Sequence, residues 1–274
     1  MNISQMQRTV SAPRPVNRGR RFATGRVVVA LILREMATRY GRSPGGYVWA
    51  VLEPVGFIAI LSVAFGLVMH TPPLGRSFLL FYATGFLPFH LYQSLHGTIS
   101  ASIRFSRPLL MFPAVTWLDA VIARFVLNLL TGLIVIGLVL GGVLAVEGSG
   151  AMPDLPALVR ALGLTALLGL GLGTLNCLLF GLFPLWETIW GIAMRPLILV
   201  SGVFFLVEDL PRAVQAVLWV NPLVHLTGLM RAAVYPTYAP QYAAPLYPAL
   251  IGAVALALGL LFLRGWHKDI IARR

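Results

Sequence analysis

The sequence predicts an all-α integral membrane protein. It has six transmembrane helices, an N-terminal amphipathic interfacial helix, and re-entrant or interfacial helices between spans five and six. Three observations carry this reading. Of the 274 residues, 58% are hydrophobic and only 11% charged, with mean hydropathy +0.84, whereas soluble domains carry about 25% charged residues. The apolar residues gather into runs near the length of about 20 that one helix needs to cross a bilayer. The arginines fall between the runs and give them a direction.

The spans fall near 48–69, 78–99, 117–145, 157–183, 188–207 and 245–264. The third and fourth are long enough to tilt or to project from the bilayer. An even number of spans returns both ends to one side. The N-terminal segment holds nine arginines, the turn after span two has Arg104 and Arg107, and the tail has Arg264, Lys268, Arg273 and Arg274. The opposite loops carry Arg76, Arg212 and Arg231, while Arg124, Arg160 and Arg195 lie within spans. The positive-inside rule then places both termini in the cytoplasm. The net charge of +12 is dispersed rather than gathered on one soluble face, which argues against nucleic acid as a partner.

Residues 1–24 are expected to form a basic, flexible cytoplasmic tail, and 25–274 the transmembrane domain. The first apolar stretch, Val27 to Leu33, is too short for a cleavable signal core. The single cysteine, Cys177, sits inside an apolar run and reads as a small packing residue.

Along 25–41, Val29, Ile32, Leu33, Met36, Ala37 and Tyr40 share one helical face. Arg34, Glu35, Thr38, Arg39 and Arg42 fill the other. Glu35 and Arg39 have the spacing of an ion pair. Gly41 suits a C-terminal cap and Pro44 stops the helix. A helix of this kind lies in the interface with arginines toward anionic headgroups. Simple anchoring and docking of a cytoplasmic partner are both open.

The connector 100–116 keeps Phe105, Leu109, Leu110, Met111 and Phe112 in a polar setting. Exposed apolar residues there predict a partner surface, able to plug into a groove on a motor subunit. Arg104, Arg107, Leu110 and Phe112, with Glu187 at a neighbouring turn, are the candidates for coupling to that motor. Thr116 and Asp119 have capping-box spacing at the start of span three. Arg124 lies further in and must snorkel, pair or face water. Glu53 and Glu187 are the expected partners for buried arginines, with no pair assigned.

Glu208 to Ala244 holds two short apolar pieces, 212–220 and 222–235. Asn221-Pro222 reads as an N-cap followed by proline at the first helical position. Pieces this short are expected to be re-entrant or interfacial and to form an outer gate, with Asn221, Pro222, His225 and Arg231 as its candidates. Candidates for lining a channel are Tyr47, Trp49, Glu53, Arg76, Tyr82, Phe86 and Arg124. Aromatic rings offer sliding surfaces to sugars, and arginines suit an acidic polymer. Gly137 with Gly141, and the cluster Gly169, Gly171 and Gly173, are expected to pack helices within the chain first, and to make dimer contacts second.

The only lysine is Lys268, so the Gly-x-x-x-x-Gly-Lys-Ser/Thr loop that cradles nucleotide phosphates is absent. No metal-ligand cluster or nucleophile elbow appears. The mid-membrane ionisable candidates, Arg124 and Arg195, are not proton carriers, which disfavours an ion-coupled transporter. The missing carboxylate cluster disfavours a membrane glycosyltransferase.

Four segments resemble the capsular-polysaccharide export permeases of ABC transporters. They are Arg34-Glu35 through Thr38-Arg39-Tyr40-Gly41, Gly46-Tyr47-Val48-Trp49-Ala50 and Glu53-Pro54; then Gly85-Phe86-Leu87-Pro88-Phe89; then Asp119 to Arg124; then Asn221-Pro222-Leu223-Val224-His225 with Arg231 and Tyr238. The resemblance runs in order from Leu33 to the end of span six. It implies a type-2 exporter: a permease homodimer in the bacterial inner membrane with two separate ATPase subunits. ATP and Mg would sit on the ATPase and no cofactor on this chain. It also implies a periplasmic adaptor of the co-polymerase type, an outer-membrane channel and a lipid-linked capsular glycan as substrate. Permeases for O-antigen or teichoic-acid-type polymers are the nearest alternative. Many relatives have an acidic residue where Gly228 stands, so a gate salt bridge at that position is not expected here.

Overall fold

The computed structural model describes residues 23–39, 46–112, 114–147 and 152–272. Among the described residues ten α-helices follow one another: α1 Ala23–Arg39, α2 Tyr47–Val68, α3 Phe78–Ser100, α4 Ser102–Leu110, α5 Trp117–Glu147, α6 Leu155–Leu182, α7 Pro184–Met194, α8 Arg212–Trp219, α9 Pro222–Val234 and α10 Leu246–Ala272. There is no strand among the described residues. The basic tail 1–22, with Tyr40 to Pro44 and therefore the expected cap Gly41, lies outside the described residues.

Helix starts follow local chemistry. Ser77 accepts the Leu80 amide at 3.3 Å, Asp154 that of Ala157 at 3.2 Å and Asn221 that of Leu223 at 3.0 Å, each satisfying a donor the first turn leaves free. At α5 the capping box closes in both directions. Asp119 Oδ2 accepts the Thr116 amide at 2.9 Å, and Thr116 Oγ1 accepts the Asp119 amide at 3.2 Å.

Among the described residues four helices, α2, α5, α6 and α10, are long and apolar enough to cross a membrane. Counting α8 and α9, bent by 102°, as one span gives a fifth. The central helix α3 is long enough but more polar. It packs against α2, α5, α6 and α9 and is buried along most of its length. A helix enclosed by protein needs no lipid-facing apolarity. The tightest seam joins α6 to α10: a Cβ added at Gly171 would collide with the Gly252 carbonyl, and one at Gly259 would come within 2.8 Å of the Leu175 amide nitrogen.

Two expectations fail here. The span expected over 188–207 is not one helix. α7 ends at Met194, a 3-10 turn covers Pro196–Ile198, and Gly202 takes φ +72°. Pro196 cannot donate to a helical ladder, and a positive φ favours glycine. The Gly137–Gly141 pair does not pack within the chain either: nothing among the described residues lies within 4 Å of a Cβ at either position. Gly169 and Gly173 do pack, against Leu95 and Ile99 of α3.

Candidate functional site

At the end of the bundle that carries α4, α1 is fastened to α5. Arg124 Nε lies 3.2 Å from Glu35 Oε2, and Arg124 Nη1 donates to the Thr98 carbonyl at 2.7 Å. The guanidinium also stacks 4.1 Å over the Phe105 ring of α4. Glu35 is 3% exposed, so loss of the Arg124 charge would leave its carboxylate uncompensated in a low dielectric. The packed face of α1 therefore carries Leu31 and Glu35, while Val29 and Leu33 point outward. Glu35, expected on the polar face in an ion pair with Arg39, is instead drawn inside by Arg124. Arg34 stays near the Phe105 ring, 5.9 Å from its centroid. The Arg39 side chain lies outside the described residues.

Arg124 thus pairs with Glu35, a carboxylate outside the two expected to meet buried arginines. Glu187 pairs instead with Arg104, whose Nη1 donates to both carboxylate oxygens at 2.9 and 2.8 Å. This pair is solvent-exposed and worth about 0–1 kcal/mol in stability, so its interest is positional. Arg104, Arg107 and Glu187 border a cleft of about 350 Å³ between α4, α6, α7 and α10. Met111 and Phe112, the latter 61% exposed, project beyond α4, and Leu110 packs inward near Ile103.

One turn above Arg124, a second cleft of about 270 Å³ opens between α2, α3 and α5. Trp49, Glu53, His90, Ser94, Asn128 and Thr131 line it. Asn128 donates to the Arg124 carbonyl one turn back in α5 at 2.7 Å. Polar side chains at this depth are costly unless they face protein or a water-filled cavity. The cleft brings together Trp49 and Glu53 from the sequence-derived set, beside the exposed Tyr47. The other members of that set lie elsewhere. Tyr82 is fully buried in an aromatic cluster with Phe65 and Phe81, and Phe86 stacks on Phe57 at 4.2 Å. Arg76 is exposed in the turn between α2 and α3.

At the opposite end, the irregular segment 199–206 leaves carbonyls without helical partners, and buried backbone must be satisfied from within the protein. Side chains of α9 and its cap do this. Asn221 Nδ2 donates to the Val200 carbonyl at 2.9 Å, and Thr227 Oγ1 to that of Ser201 at 2.9 Å. Arg231 donates to the Phe205 and Val203 carbonyls at 3.0 and 3.1 Å. Arg231 is 0% exposed and lies 4.1 Å over the Phe81 ring. It is a clamp on the loop 199–206 rather than a charge displayed at a mouth. Pro222 opens α9 as expected. The Ala244 amide donates to His225 Nδ1 at 3.1 Å, so Nε2 carries the proton that bridges to the Trp219 carbonyl at 2.8 Å.

Gly228 has a visible consequence. A Cβ there would lie 2.7 Å from the Tyr242 hydroxyl, so Tyr242 takes the room a side chain would need. Tyr238 donates to the Glu208 carboxylate at 3.1 Å. Burial pushes the Tyr238 and Tyr242 phenols above their ordinary range, so both remain neutral hydrogen-bonding groups. Ser94, Asn128, Asn176 and Thr227 were missed from the sequence. Two of them, Asn128 and Asn176, carried a signal: an amide inside an apolar run must find a partner. No cluster of three or more metal-ligating side chains occurs among the described residues.

Known proteins share this sequence pattern. The profile of the ABC-2 type transporter family matches residues 26–235. The polysialic acid transport protein KpsM of Escherichia coli is 31% identical over 237 residues, covering 86% of this chain and 92% of the relative. The capsule polysaccharide export inner-membrane protein CtrC of Neisseria meningitidis serogroup B is 29% identical over 246 residues, covering 89% and 92%. BexB of Haemophilus influenzae, of the same description, is 25% identical over 246 residues, covering 90% and 93%. With more than half its length matched by one profile, the chain belongs to the ABC-2 type transporter membrane family.

Proposed function

We propose that this chain is the permease subunit of an ATP-driven exporter that moves lipid-linked capsular polysaccharide across the bacterial inner membrane. The observation that carries the reading is the near full-length similarity to proteins whose names state polysialic acid transport and capsule polysaccharide export. The chain has no phosphate-binding loop of its own, so ATP and Mg belong to two separate ATPase subunits. Two copies of this chain form the pathway, and a periplasmic adaptor and an outer-membrane channel continue it.

Both termini face the cytoplasm, in keeping with the arginine distribution. The spans are α2, α3, α5, α6, the broken segment from α7 to residue 206, and α10. α4 docks on the ATPase through Phe112 and Met111. The Trp49–Glu53–His90 cleft receives the hydroxyl-rich end of the substrate, and the turn around α8 and α9 forms the outer gate.

Deletion of the gene in its native host tests this. Lipid-linked polymer held inside the cell, beneath a bare surface, is the expected result. A normal capsule in a strain with no second exporter would reject the reading.

A further inference from the structure

A hydrogen-bonded chain crosses the bundle between α3, α6 and α7, and none of the roles above uses it. The Trp186 indole N–H donates to Asn176 Oδ1 at 2.9 Å. An indole nitrogen only donates, so this bond fixes which end of the amide is oxygen. The other end, Nδ2, then faces His96 Nε2 at 2.9 Å. Because Nδ2 only donates, His96 must accept there and carry its proton on Nδ1. Asn176 is 1% exposed and His96 is buried. The His96 ring lies between Tyr92 of its own helix, at 5.7 Å and 27°, and Trp190 of α7, at 5.3 Å and 25°.

α7 needs such ties. It buries none of its residues, and Leu185, Ile189 and Ile192 are exposed. Phe183-Pro184 and Arg195-Pro196 break the helix from what precedes and follows it. Apolar contact in a bilayer gives a helix little preference for protein over lipid. The placement of α7 therefore rests on one face, where Trp186 and Trp190 are one turn apart. Glu187, beside Trp186, grips Arg104 of α4. α7 is thus fastened at two points: to α4 by an exposed ion pair, and to α3 and α6 by a buried amide.

We propose that Asn176 is a positioning residue that makes α7 move together with α3. A displacement of α4 reaches α7 through Glu187. The Asn176 link turns that displacement into movement of the whole α3–α7 unit, and hence of the 199–206 loop that follows α7. Without the link, α4 tilts α7 alone and the stroke is lost. The proposal rests on the exporter reading for its readout.

The test uses the complete transporter with its ATPase subunits in membrane vesicles. ATP hydrolysis and polymer exported per ATP are measured for Asn176→Leu and Trp186→Phe. The first removes both hydrogen bonds at similar volume; the second removes only the indole donor and keeps a ring. In Asn176→Leu, hydrolysis stays within about twofold and export per ATP falls about tenfold, the size expected for a coupling network. Trp186→Phe moves the same ratio in the same direction by less. Unchanged export per ATP in both variants, or parallel loss of hydrolysis and export at normal protein levels, overturns the proposal. If Asn176→Leu fails to accumulate, Trp186→Phe decides. Failure of the exporter reading is separate, because the unaltered chain itself would then show no ATP-dependent export.

Discussion

Glu35 and Arg124 are 89 residues apart in sequence and 3.2 Å apart in space, buried where α1, α4 and α5 meet. The pair makes α1 part of the bundle rather than a tethered appendage. Because Arg124 also holds the Thr98 carbonyl and covers Phe105, any force on α4 is felt at α1.

Arg124→Leu is expected to destabilise the chain by about 3–5 kcal/mol, since it leaves the buried Glu35 carboxylate without its countercharge. Thermal unfolding in detergent measures this. The double variant Glu35→Leu with Arg124→Leu should recover part of the loss, because no unpaired charge remains. A double variant worse than the sum of the single variants would show the pair is not the unit that matters.

Arg231→Met should loosen the 199–206 loop specifically. Two carbonyls lose their donor, each at a cost of about 1–3 kcal/mol if left unpaired. Hydrogen exchange in that segment should rise while exchange in α5 stays unchanged. Arg231→Lys should rescue poorly, because an ammonium lacks the planar fork that reaches Val203 and Phe205 together.

Phe112→Asp should reduce co-purification of the ATPase subunit with little loss of stability, since Phe112 projects into solvent. Leu110→Asp should lower both, because Leu110 packs near Ile103. Pull-down yield and melting temperature, read together, separate the two. Undiminished ATPase binding by a stable Phe112→Asp protein would remove α4 as the docking element.

Gly171→Val should abolish folding, because its side chain would enter the Gly252 backbone. Gly137→Val should leave the fold of the single chain intact, since its Cβ meets nothing within 4 Å. Yield of monodisperse protein from both variants is the check. A stable Gly137→Val protein that no longer self-associates would place this face between two copies.

Much of the fold was legible because helix ends are written locally. Asp119 with Thr116, and Asn221 before Pro222, cap where their spacing predicts. The segment 188–207 was misread as one helix because hydropathy counts apolar residues and ignores Pro196 and Gly202. The burial of Glu35 was hidden for a related reason. Periodicity assigns Glu35 to solvent, and only the distant Arg124 brings it inside. The relay through Asn176 had the same dependence on partners far away in sequence. The polar cleft was half legible: Trp49 and Glu53 stood out on α2, but Ser94 and Asn128 join them only once α3 and α5 pack.

Inverted membrane vesicles containing this chain and its ATPase subunits test the central claim most directly. They would be given labelled lipid-linked capsular polymer, with ATP or with a non-hydrolysable analogue. The account predicts that polymer becomes protected inside the vesicles only with ATP, and not when the ATPase subunit is inactivated. Equal protection with both nucleotides, or none while the ATPase turns over, would contradict it.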